Sequence, residues 1–214
     1  MINKGYTDFA KKRLSGNFRE MGSWPLVLPY FQGGGGRFLD IGCADGLYLK
    51  QLGTNAIGVE QIPSLAEKAR ADGLNVITGD ASSSIASFAN DEFDAVLFSH
   101  VMEHVDCPIG MLREIRRVLK PKGLLIMGLP IERNIYRDLL RMDYFNGTHL
   151  YAFSVRNALK LLDEVNFDAV KVIFHLPKFR GQVGVWAQHF WNITHSPFHE
   201  YFSMAYWIVA ERNR

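Results

Sequence analysis

Three carboxylates, Asp40, Glu60 and Asp80, each close a short apolar run. The first run, RFLDIGCADG (37–46), sets Phe38, Leu39 and Ile41 at strand length, turns through Gly42-Cys43-Ala44-Asp45-Gly46, and continues as LYLKQLG with helical spacing. A strand, a glycine turn and a helix start let bare backbone approach a ligand and leave N–H groups to hold it. Such a turn opens a βαβ unit, where open α/β sheets bind nucleotide-like molecules. The spacing departs from the dinucleotide pattern G-x-G-x-x-G. Alanine holds the middle position, and Asp45 would repel a pyrophosphate. Asp40 and Asp45 suit instead a ligand end with positive charge, such as an ammonium or a sulfonium. A carboxylate placed like Glu60 accepts hydrogen bonds from both hydroxyls of an adenosine ribose. Asp80, with Ala81 and Ser82, is set to meet an adenine amino group. Each is ordinary alone; three in a row point to one site.

A second group is His100-Val-Met-Glu103-His104, with His149 following in NGTHLYAFS. H-x-x-E-H spells the inverted zinc-protease signature. That signature needs a helix presenting both histidines and a third ligand, whereas this one follows the apolar run FDAVLFS (93–99), which argues against a protease. A histidine can take a proton from an oxygen or nitrogen nucleophile near neutral pH. His149 is the first choice for that base, because its loop should border the open end of the sheet; His104 and His100 come next. An architectural hydrogen bond is the equal alternative for His149. Tyr144 and Tyr151 shape an acceptor pocket or simply pack. Between His175 and Tyr206, His175, His189, His195 and His199 lie among aromatics at irregular spacing without cysteines, which argues against zinc. An acceptor cap, a dimer surface or plain packing of an insertion at about 175–203 remain.

The elements that position these residues alternate. Runs at 55–60, 74–80, 93–99 and 124–130 read as strands, and 63–73, SSIASFA and Pro108–Lys120 read as helices. Ser154 is placed to cap a helix within 153–170, a strand follows around Val170–Phe174, and 204–212 reads as the last strand. Strands alternating with helices imply a doubly wound parallel sheet with helices on both faces. Residues 1–36 read as a helical arm ending in a flexible Gly33–Gly36 linker. The other reading of that arm is a lid over the ligand, lined by Tyr6, Trp24 and Tyr30.

The 214 residues suffice for one domain with a full core, and a 48% hydrophobic, 21% charged composition is globular. A net charge of +2 gives no strong pull toward nucleic acid or an anionic membrane. No run is long enough for a membrane span. The amino terminus lacks the apolar core of a signal peptide. Cys43 and Cys107 make no disulfide framework. A cytoplasmic protein, monomer or homodimer, is expected.

The run at 37–46 resembles motif I of the class I S-adenosylmethionine (SAM) methyltransferases, D-x-G-x-G-x-G, with Ala44 at the middle glycine. FDAVLFSHVMEHV (93–105), LREIRRVLKPKGLL (112–125) and HLYAFSVRNALKLLDEVNF resemble the type 11 and type 23 families, so that the likeness covers roughly residues 37–170. The resemblance implies a Rossmann-like seven-stranded sheet with one antiparallel strand, here 204–212. It implies SAM contacts at Asp40, Gly42, Cys43, Asp45, Gly46, Glu60, Gln61, Asp80, Ala81, Ser82, Ser99 and His100, with S-adenosylhomocysteine as product. Ubiquinone-type and small-RNA methyltransferases carry a similar E-x-x-E-H run that binds a divalent ion. Here His100 replaces its first glutamate, and no metal is assigned. The expected activity is in-line methyl transfer to a small-molecule or sugar-like acceptor. A non-catalytic SAM-binding protein and a nucleic-acid or protein methyltransferase are the alternatives.

Overall fold

The computed structural model describes residues 4–16, 21–31, 35–139, 148–176, 181–194 and 198–213. The apolar runs form β1 (Phe38–Ile41), β2 (Ala56–Glu60), β3 (Val76–Thr78), β4 (Phe93–Ser99), β5 (Leu119–Pro130), β6 (Phe167–His175) and β7 (Ala205–Arg212). They make one seven-stranded sheet in the order β3-β2-β1-β4-β5-β7-β6. The pairs among β1 to β5 are parallel, and β7 runs antiparallel to both β5 and β6. The expected fold is the observed one. Because β1 to β4 run the same way, Asp40, Glu60, Asp80 and Ser99 come out along one edge.

Helices cover both faces, so central strands are buried on both sides. Val96 and Phe98 of β4 face a core that also holds Leu112 and Ile115 of α5 (Pro108–Val118) and Leu162 of α7 (Val155–Glu164). Ala95 and Leu97 face the other core, with Trp207 and Val209 of β7. Ser154 caps α7 as expected, its hydroxyl accepting from the Asn157 amide at 3.2 Å.

Three local expectations change. LYLKQLG makes only a 3-10 turn at Leu49–Gln51, because β2 begins at Ala56 and Gly53, at φ +96°, turns the chain early. β5 starts at Leu119, so Pro121–Gly123 is a break in register inside the strand, with Lys122 at φ +67°, rather than the gap before it. The stretch after β6 holds a regular helix, α8 (Gly181–Ile193), whose apolar residues fall on every side and so show no period.

The amino-terminal segment is not a free arm. After α1 (Lys4–Leu14), α2 (Trp24–Val27) drives Trp24, Val27 and Phe31 into the second core. The Trp24 ring lies 6.0 Å from that of Trp207, and the Trp207 indole N–H donates to the Ser23 hydroxyl at 2.9 Å. Ser23→Ala leaves that indole donor buried without its partner. Denaturant unfolding should show a loss of about 1–3 kcal/mol; an unchanged midpoint would mean the segment is only draped on the core.

Candidate active site

The carboxyl ends of β1 to β4 open into a cavity of about 790 Å3. Asp40, Gly42, Cys43, Glu60, Gln61, Asp80, Ala81, Ser82, Ser99, His100, His104 and His149 all line it. Asp45 and Gly46 do not. Asp45 instead forms an ion pair with Arg13 of α1. Gly46 sits at φ +82° with the Leu74 side chain where a Cβ would be, so it shapes the turn rather than touching a ligand.

The turn after β1 is closed by its own hydrogen bonds. The Gly42 and Cys43 amides donate to the Val59 carbonyl at 2.8 and 3.1 Å, and Gly46 donates to Cys43 at 2.9 Å. The Ala44 amide donates to one Glu60 carboxylate oxygen at 2.9 Å, while the Ile62 amide donates to the other at 2.7 Å. With those amides used internally and only a 3-10 turn behind them, this is no anion cradle. Gly42, at φ +76°, lies so close to Val101 that an added Cβ would fall 2.4 Å from its Cγ2. Ala44 holds the left-handed backbone, φ +50°, that the middle glycine of such turns usually takes.

Asp40 is 2% exposed, and its Oδ2 has no hydrogen-bond partner among the described residues. Burial pushes its carboxyl up to about 7, with the Arg13 guanidinium pulling it back and Glu60 adding to the rise. Burial also raises Glu60, and its bonds to the Ile62 and Ala44 amides oppose that. Burial pushes the Cys43 thiol far up as well, which makes it an inert wall. Asp80 accepts from the Ser82 and Ser83 amides at 2.9 and 3.2 Å, capping α4 (Ala81–Ile85) while its neighbours line the cavity. Trp24 belongs to the core, but Tyr6, Phe9 and Arg13 of α1 wall the cavity, so α1 stands where the lid reading put the arm.

Also on the cavity wall, the loop after β4 meets the segment 148–151. The Leu150 and Tyr151 amides donate to the Glu103 carbonyl at 2.7 and 3.3 Å. His104 places its ring 4.7 Å from that of His149, edge to face, and 5.8 Å from that of Tyr6. Its Nδ1 bonds the Thr148 carbonyl at 3.0 Å, so that nitrogen carries the proton and Nε2 keeps the lone pair. Burial lowers the His104 pKa, against the pull of Glu103. His149 Nδ1 bonds the buried Glu132 carboxylate. Glu103 is 1% exposed, neither of its oxygens has a hydrogen-bond partner among the described residues, and His100 Nδ1 stands 3.4 Å from one of them. One donor atom each from Glu103, His104 and His149 lies within 4.8 Å of the other two. Tyr144 and His195 fall outside the described residues.

The family described as a methyltransferase domain (type 23) matches residues 11–172. The chain belongs to that family. This methyltransferase is 32% identical over 142 residues to a ubiquinone biosynthesis O-methyltransferase of Ruegeria pomeroyi, covering 63% of this chain and 54% of that one. It is 29% identical over 140 residues to an uncharacterized protein of Methanocaldococcus jannaschii, covering 64% and 66%. The chain spans about half the length of the O-methyltransferases it matches. In fold it resembles a SAM-dependent methyltransferase of Archaeoglobus fulgidus (TM-score 0.68, 24% identity, 88% and 90% covered). A SAM-dependent methyltransferase of Thermotoga maritima is similarly alike (0.69, 22%, 97% and 96%). The cavity fits S-adenosylmethionine: a buried carboxylate oxygen without a partner among the described residues, a glycine with no room for a side chain, and three acidic strand ends.

Three residues at or behind the cavity wall carried little sign in the sequence. Arg13 lay one turn from Phe9 on a helix with no motif, and only the fold brings it to Asp45. Glu132 follows β5 without any pattern. His175, whose buried Nδ1 has no partner among the described residues, was one of several unranked histidines; burial lowers its pKa to about 4.

Proposed function

We propose that this methyltransferase moves a methyl group from S-adenosylmethionine to an oxygen of a small cytoplasmic molecule. The carrying observation is the cavity's lining: the acidic strand ends Asp40, Glu60 and Asp80 with Arg13, and the imidazoles of His100, His104 and His149 with Glu103. Asp40 pairs with the ammonium of the cofactor's amino-acid group, Arg13 stands by for its carboxylate, and Glu60 takes the ribose hydroxyls. Gln61, Asp80, Ala81 and Ser82 border the adenine, with Ser99 and His100 nearer the sulfur. Methyl transfer is an in-line displacement, so the protein must align acceptor and methyl carbon and keep water out. Tyr6 and α1 cover that junction. His149, oriented by Glu132, takes the acceptor's proton. Relatives named as O-methyltransferases favour oxygen over nitrogen or carbon.

A second reading of the site is favoured by Glu103, whose buried carboxylate has no hydrogen-bond partner among the described residues. Glu103, His104 and His149 would hold a divalent cation, which would supply Lewis acidity that lowers the pKa of the acceptor hydroxyl.

Calorimetry should show SAM and S-adenosylhomocysteine binding and NAD not binding; a labelled-methyl screen of hydroxylated small molecules then identifies the acceptor. NAD binding without the other two would overturn the assignment. Glu60→Ala is expected to weaken S-adenosylhomocysteine by about 1–3 kcal/mol. Arg13→Ala should weaken S-adenosylhomocysteine but not methylthioadenosine, which lacks the amino-acid group. Equal losses for both would show Arg13 acting only through α1 packing.

A further inference from the structure

The cavity wall is rich in negative charge. Among the described residues it carries the carboxylates of Asp40, Glu60, Asp80, Glu103 and Asp106 against the Arg13 guanidinium. Most of these acids have contacts already described. Glu60 takes the Ala44 and Ile62 amides, and Asp80 takes the Ser82 and Ser83 amides. The Arg13 guanidinium acts on Asp40, whose carboxylate is assigned above to the cofactor's ammonium. Asp106 is exposed. Glu103 differs: it is 1% exposed, and neither oxygen has a hydrogen-bond partner among the described residues. Backbone holds it there, because it lies in the 3-10 turn Met102–His104 and its carbonyl receives the Leu150 and Tyr151 amides. A carboxylate buried in that way is costly until a positive or donating group meets it. The imidazoles on the cavity wall do not supply one. Burial lowers the pKa of His104, and that of His175 to about 4, so both are uncharged near pH 7. His149 is turned to Glu132, and His100 Nδ1 stands 3.4 Å from Glu103 without a hydrogen bond.

Resting on the S-adenosylmethionine reading above, we propose that the acceptor is a hydroxylated amine, whose ammonium pairs with Glu103 while its hydroxyl receives the methyl group. An ammonium bound to a carboxylate keeps its proton and has no lone pair, so the hydroxyl oxygen is left as the nucleophile. That oxygen's electron pair forms the new O–CH3 bond. The S–CH3 pair leaves with sulfur as S-adenosylhomocysteine, and the hydroxyl proton passes to His149 Nε2. A carboxylated or phosphorylated acceptor would set like charges against Glu103 and Asp106, which costs affinity. Glu103 cannot serve this ammonium and the divalent cation of the second reading at once.

The test uses the full chain saturated with S-adenosylhomocysteine, with EDTA throughout to keep metal ions out. Calorimetry follows two matched sets: tyramine, tyrosol and 4-hydroxyphenylacetate, and glucosamine, glucose and glucuronate. In at least one set the ammonium member should bind about 10- to 100-fold more tightly than the neutral one, with the anionic one weakest. Glu103→Gln should erase that preference and leave the affinities for SAM and S-adenosylhomocysteine unchanged. An ammonium preference in neither set, with S-adenosylhomocysteine bound, would overturn the acceptor class and leave the methyltransferase reading standing. A preference that survives Glu103→Gln would take the pairing away from this carboxylate. If the variant lost affinity for SAM but not for S-adenosylhomocysteine, Glu103 would face the cofactor's sulfonium and not the acceptor. An N-methylated amine in the labelled-methyl screen would overturn the directing role. Failure of S-adenosylhomocysteine to bind the parent chain would remove the cofactor reading itself.

Discussion

Asp40→Asn is expected to bind S-adenosylhomocysteine about 30- to 1,000-fold more weakly at pH 8, while making the ligand-free protein more stable. The two effects share one cause. Asp40 is buried, one oxygen has no partner, and burial lifts its carboxyl to about 7. In the unfolded chain the same group ionises near pH 4. Between those values the unfolded state has released a proton that the folded state keeps, so stability falls as pH rises from about 4 to about 7 and levels off above. Asparagine keeps the shape and removes the charge, which should take Asp40's share out of that slope, leaving the part that comes from Glu60, and add on the order of a few kcal/mol at pH 8. Binding responds in the opposite sense. A cationic ligand end wants the ionised form, and losing a buried charge partner costs about 2–4 kcal/mol. Below pH 7 the ligand must also displace the Asp40 proton, so affinity in the parent should drop as pH falls through about 7, while the variant stays flat. Calorimetry and urea unfolding from pH 5 to 8 read both. An unaltered affinity, or an affinity that in the variant still drops as pH falls through about 7, removes Asp40 from the ligand's charged end.

What could be read from the chain is what repeats along it. The strand ends carry Asp40, Glu60 and Asp80 because each parallel strand stops at the same edge, and apolar run length alone marks that stop. The order of acidic ends and the glycine turn therefore survive translation into space, and twelve of the residues singled out line one cavity. Asp45 stands off the cavity lining because its partner, Arg13, comes from a helix that no motif marks, and a charge's role is set by whatever faces it. The helix expected after Gly46 failed because helical spacing over a few residues says nothing of how soon the next strand must begin. Glu132 was invisible for a related reason. It matters only through His149, and the two are joined by the return of the 148–151 segment over the end of β5, a contact that local pattern does not encode.

His149→Ala is expected to lower kcat by about 100- to 10,000-fold at saturating acceptor, with S-adenosylhomocysteine affinity unchanged. The ring is held by Glu132 and packs on His104 rather than bonding Asp40 or Glu60, so cofactor contacts should not feel its loss. The architectural alternative makes a different prediction. His149 packs on His104 and bonds Glu132, and if it only pinned the 148–151 segment, its removal would raise KM and lower stability while leaving the saturated rate nearly intact. Added imidazole separates the cases further. The substitution leaves a ring-sized space beside Glu132, and an imidazole lodged there regains the same carboxylate partner and can again take a proton or donate its lone pair. Rate should then recover with imidazole concentration without a matching change in KM. Glu132→Gln tests the orienting bond itself. The histidine remains but its tautomer is no longer fixed, so kcat should fall by less than in His149→Ala. A saturated rate that survives both substitutions would take the acceptor's proton away from this corner and turn attention to His175, another imidazole on the cavity wall.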